Sequence, residues 1–136
     1  MAANTNPIFT LTPNITVGQT ISAANTAKDG TGTVVTIHTA GANGSLVYSV
    51  NWQPLGTNIA SVGRVFINNG STNTTATNNT YFGDISLPAT TNSEVAQIGK
   101  TVQVMNVALP AGYKLLVVIG TAVAAGFAVS AIAEDY

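Results

Sequence analysis

Cysteine is absent from the 136 residues, which excludes a disulfide framework, a thiolate nucleophile and a zinc site of the Cys type. Charge is nearly as scarce: only 7% of residues are charged, against ~25% in ordinary soluble domains. Four basic and five acidic side chains leave a formal net charge of −1. Such a surface carries no electrostatic footprint for a phosphate backbone or an anionic membrane, so neither nucleic acid nor membrane is expected as a partner. Residues 1–7 lack the basic and apolar regions of a secretory signal, and synthesis in a cytoplasm is the expectation. There is a single histidine, too little imidazole for an ordinary metal or acid–base site.

What the chain does have is 46% hydrophobic residues, enough for one core at a length where folding buries roughly two-thirds of the chain's surface. Its polar remainder is largely Thr, Asn, Ser and Gly, which form turns and, for Thr, strands. With so little charge, repulsion between copies is weak and association is favoured.

The clearest periodic signal runs over residues 45–52. Leu46, Tyr48, Val50 and Trp52 share one phase and Ser45, Val47, Ser49 and Asn51 the other, the mark of a half-buried strand. Further strands are expected at 33–39, 62–68, 81–87, 101–107, 113–119 and 127–133, with one more between residues 8 and 21. Turn signals separate them, among them Asp29-Gly30, Asn43-Gly44, Asn69-Gly70, Pro88 and Ala111-Gly112. No segment carries an apolar stripe at helical spacing. The reading is an all-β, single-domain chain over residues 1–136, an antiparallel β-sandwich of about eight strands and jelly-roll type, with residues 1–7 as an N-terminal arm. Residues 115–133 carry no charge and are long enough for a membrane span, but Gly120, Thr121, Gly126 and Ser130 divide them, and a buried β-hairpin is expected instead. Residues 68–80, almost all Asn, Thr, Ser and Gly, read as a long exposed loop.

A search for chemistry returns little. His38 lies in a Val/Thr strand and reads as a hydrogen-bonded sheet residue. Asp29 to Gly32 lacks both the ligand count of a calcium loop and the Lys-Ser/Thr ending of a phosphate loop, and reads as a turn. Glu134 and Asp135 read as a solvated tail. The Asn-X-Ser/Thr triplets at Asn14, Asn43, Asn69, Asn73 and Asn78 follow from composition. No catalytic residue, metal site or cofactor is expected. Two side chains stand out as candidate interface anchors, Trp52 and Arg64, because Trp and Arg dominate protein interfaces. Trp52 also shares the phase of Leu46, Tyr48 and Val50, which would make it core. Arg64, alternating with Val62 and Phe66, suits an ion pair on the surface or between subunits.

The run GTNIASVGRVFINNG at residues 56–70, with the Asn/Thr loop after it, and ALPAGYKLL at 108–116 resemble small virion proteins of tailed bacteriophages, the capsid cement or decoration group. The resemblance implies a jelly-roll-like homodimer or homotrimer on the outer capsid surface, bridging subunits of the major capsid protein and stabilising their lattice. No family site transfers to individual residues. Two other readings are a carbohydrate-binding or adhesin-like module of a phage fibre or tail and a filament-forming surface protein.

Overall fold

In a computed structural model describing residues 9–136, the chain forms two antiparallel sheets packed as a β-sandwich, with no α-helix among the described residues. Nine strands appear among the described residues: β1 (Thr12–Ile15), β2 (Thr20–Ile21), β3 (Val35–Thr39), β4 (Ser45–Pro54), β5 (Ser61–Asn68), β6 (Asn79–Leu87), β7 (Thr101–Leu109), β8 (Lys114–Ile119) and β9 (Phe127–Asp135). The expected strands all lie close to these bounds, and the region from 8 to 21 supplies two strands rather than one. The arm expected over residues 1–7 lies outside the described residues.

One sheet runs β1-β9-β4-β7, with β2 also on β9; the other runs β3-β8-β5-β6. One set of pairings nests around the hairpin of β5 with β6: β4 pairs β7, β3 pairs β8 and β1 pairs β9. Residues 115–133 are corrected by this arrangement. They do form two strands and a turn, but β8 and β9 belong to opposite sheets, so the segment is a crossover between layers and not a hairpin. The reason is visible in β8, whose Leu115, Val117 and Ile119 face the core between the sheets while Leu116 and Val118 are buried on the sheet's outer side. A strand apolar on both faces needs cover on both, as a centre strand of a covered sheet has it.

The core between the sheets is built from Val47, Val50, Trp52, Phe127, Val129, Ala131 and Ala133 on one side and Ile37, Val65, Leu115, Val117 and Ile119 on the other. The alternation seen over residues 45–52 does not survive intact. The pairing of β4 with β9 slips between Val47 and Ser49, so Tyr48 is an extra bulged residue and every side chain beyond it changes face. Val47, Val50 and Trp52 are buried, whereas Leu46 and Tyr48 are only half-buried.

Trp52 is fully buried, as its phase with Val50 implies, so of its two expected roles it fills the core one and not the interface one. Its ring occupies the space opposite Gly63 on β5, where a Cβ atom would stand 2.7 Å from the indole.

Candidate functional site

The two sheets treat their outer faces differently. On the β3-β8-β5-β6 sheet, Phe66, Leu116 and Val118 form a second apolar cluster joined by Val34, yet Phe66 and Val118 have no exposure. Side-chain amides tie the cover over this side. Asn73 donates to the carbonyls of Gly30 and Gly32, Asn79 to those of Asp29 and Asn73, and Asn68 to the Asn79 side-chain Oδ1 at 2.7 Å. Asn25 donates to Thr31 and Thr33, and Ala24 bridges Ile119. Segments 22–34 and 69–78 are thus joined to each other by carboxamides, each able to donate twice and accept. The loop expected to be merely exposed is this cover, held by its asparagines rather than by apolar anchors.

The same cover orients Arg64. Its Nη1 donates to the Asn25 carbonyl at 3.3 Å, and its cross-strand neighbour is Asp84, which accepts the Tyr81 hydroxyl at 2.9 Å. Among the described residues no carboxylate lies within ion-pairing distance of Arg64. Within the chain, its contact is thus a backbone carbonyl rather than an ion pair.

Among the described residues, nothing covers the outer face of the β1-β9-β4-β7 sheet in this way. Register places Ile15, Ile132, Ser49 and Val104 in one row across four strands. Pro13, Glu134, Leu46 and Ala108 make the next row, and Ser130, Asn51 and Val102 another. Val104 is 71% exposed, Ile15 56% and Val102 44%. A shallow groove of about 370 Å³ at one end of the face is lined by Asn51, Gln53, Thr20, Ser130 and Lys100 among others. The one charged group in these rows is Glu134, which accepts hydrogen bonds from the Tyr48 hydroxyl at 2.8 Å and from Thr10. Those two bonds hold its carboxyl below the usual range, and the bond to Glu134, with burial and the Glu134 charge, pushes Tyr48 upward. Glu134 is thus part of the face and not the solvated tail expected of it.

Sequence reasoning missed this face because Val102 and Val104 alternate with Gln103, a pattern that alone would turn the valines inward. Pairing turns Gln103 inward instead, opposite Val50. The nearest signal in the sequence was the poverty of charge across 101–109.

The remaining chemistry gathers at the seam between sheets. Asp135 accepts from Ser45 and from Asn14 at 3.0 Å, and its Oδ1 lies 4.0 Å from His38 Nε2. Serine, aspartate and histidine meet here, but the carboxylate stands between the other two, whereas an activated serine needs imidazole as its neighbour and an open approach. Ser45 has no exposure. Neither ring nitrogen of His38 has a hydrogen-bond partner, so the bonded sheet histidine expected from the sequence is corrected to a buried, unpaired one. Among the described residues no three His, Asp or Glu side chains gather as metal ligands. Asp29 caps its own turn, accepting the backbone N–H of Thr31 at 3.0 Å and its hydroxyl.

Burial pushes the His38 pKa below its ordinary value, and the Asp135 charge offsets this only in part. For Asp135 itself burial acts upward, but hydrogen bonds from Ser45, Asn14 and Gly41 and the His38 charge outweigh it and leave the carboxyl low. Both groups take up protons more readily when unfolded, so both make stability fall with falling pH. The His38 contribution is complete above about pH 6.5, the ordinary imidazole pKa, and is lost as pH falls through the lower folded value. Urea unfolding at pH 7 and pH 5 should show the midpoint falling. In His38→Phe the part of that fall lying between pH 6.5 and 5 should vanish, since no other histidine is present; an unchanged fall would show that His38 is not its source.

Comparison of the chain with protein-family models, with characterised proteins and with solved structures found no match.

Proposed function

We propose that this chain is a non-enzymatic structural protein of a virion, a capsid cement or decoration protein that joins the lattice of the major capsid protein as an oligomer and stabilises it. The observation that carries the reading is the uncovered face of the β1-β9-β4-β7 sheet. Among the described residues, loops cover one apolar outer face and none covers the other, where Ile15, Val102 and Val104 are exposed and the rows hold a single, internally bonded carboxylate. Open apolar area of this kind marks a surface that protein covers. Low charge suits a partner that is itself a crowded protein surface, where hydrogen bonds and apolar contact outweigh long-range steering. The nested pairing of β5·β6, β4·β7, β3·β8 and β1·β9 supports the jelly-roll form of the sandwich, the architecture found in capsid domains.

The carbohydrate-binding alternative is less well supported, because the groove beside Asn51 and Gln53 has no aromatic side chain in its lining on which a sugar ring would stack. Purified protein should co-sediment with assembled or expanded capsid shells and raise the temperature at which they rupture. Absence of co-sedimentation at micromolar concentration, or shells no more stable with the protein than without it, would refute the decoration role.

A further inference from the structure

We infer that the occupant of the open β1-β9-β4-β7 face is a second copy of the same chain, packed face to face across a two-fold axis. The inference rests on the structural role proposed above and names the partner of that face.

A two-fold interface must be complementary to itself, because each patch meets its own copy. Most faces fail on charge, since a patch with a net sign repels its image. Here the rows Ile15–Ile132–Ser49–Val104, Pro13–Glu134–Leu46–Ala108 and Ser130–Asn51–Val102 hold one charge, and the Tyr48 and Thr10 hydroxyls already bind it. The polar groups that remain are of the self-matching kind. Asn51, Gln53, Ser49 and Ser130 carry carboxamides or hydroxyls, each both donor and acceptor, so an amide on one copy can pair with an amide or hydroxyl on the other. The apolar residues provide the rest: Val104 and Val102 on the β7 edge, Ile15 on the β1 edge and Ile132 between them.

Area agrees. Strands β4, β7 and β9 of nine or ten residues and β1 of four, about 4.8 Å apart with about 3.3 Å per residue, span on the order of 500 Å² in projection. Rough side-chain relief carries the accessible area above that, toward the roughly 800 Å² per partner of a stable complex. Two such faces would pack about 10 Å apart, as sheets do within a sandwich.

Sedimentation equilibrium of the isolated protein from 1 to 100 μM tests this. The wild type should sediment at twice the chain mass. Val104→Lys and Ile15→Lys, on opposite edges of the face and exposed in the single chain, should each keep the wild-type circular dichroism spectrum and weaken the dimer at least 100-fold. Val95→Lys, at a fully exposed loop position outside these rows, should leave it intact. A wild-type monomer at 100 μM, a trimer, or a dimer that survives both lysines would overturn the inference. Capsid co-sedimentation separates the two proposals: a dimer that does not bind shells sinks the decoration role alone, and a monomer that binds them sinks the dimer alone.

Discussion

Replacing Asn58 by alanine is expected to lower the unfolding free energy by about 3 kcal/mol, the loss expected when several buried backbone groups become unpaired together. Asn58 is 3% exposed and sits in the loop between β4 and β5. Its amide nitrogen donates to the Gly126 carbonyl at 2.9 Å, and its Oδ1 accepts the backbone N–H groups of Ala125 and Gly126 at 2.8 and 3.1 Å. Its own backbone exchanges hydrogen bonds with Thr90. One side chain thereby ties the β8–β9 crossover to the β4–β5 loop and, through its backbone, to the start of the long segment before β7. Against a total stability of roughly 5–15 kcal/mol for a domain, the loss is large and is read directly as a lower urea midpoint with unchanged slope. Asn58→Asp keeps the acceptor but sets a second acceptor oxygen against the Gly126 carbonyl and buries a carboxylate, and it should cost at least as much as alanine. An alanine variant within 0.5 kcal/mol of wild type would show that water replaces the amide.

Gly63→Ala is expected to cost about 3 kcal/mol, the upper part of the overpacking range, although it adds one methyl group. Its Cβ would stand 2.7 Å from the Trp52 ring, and the ring, fully buried between the sheets, has no exposed side toward which to yield. The same substitution in a Trp52→Phe background should cost less than about 1 kcal/mol, because the smaller ring opens the space beside Gly63. The coupling between the two sites in this double-mutant cycle is the diagnostic quantity. Additive costs would mean that the penalty at Gly63 comes from its backbone and not from the indole. The Trp52 Nε1 hydrogen has no acceptor, so Trp52→Phe loses ring volume without losing a hydrogen bond. That makes it a clean partner for the cycle.

These two residues mark the limits of what alternation reveals. Trp52 was visible in the sequence as a large aromatic in a regular strand, and its burial followed from the phase it shares with Val50. Its complement Gly63 carried no signal, because a glycine shaped by a facing ring reads the same as one shaped by a turn. Asn58 was one asparagine in a chain rich in them. Only packing distinguishes it from Asn69, which is exposed and donates across its own loop to Asn78 at 3.2 Å. Arg64 was visible as the one arginine, but its hydrogen-bond partner is the Asn25 backbone carbonyl, 39 residues away, which no local pattern indicates.

Taken alone, the sequence determined the class. Alternation with a period of two, β-branched strands and Gly/Pro/Asn punctuation act within a few residues and so leave their mark on the linear chain. It also determined that the surface would be sparsely charged, which is a matter of composition. The tertiary structure decided which sheet each strand joins, as with β8 and β9. It decided where the phase breaks, as at Tyr48, and which outer face is left open. Those are settled by pairings between residues up to 123 positions apart, such as Thr12 with Asp135. In such pairings one bulged residue moves every side chain beyond it to the other face.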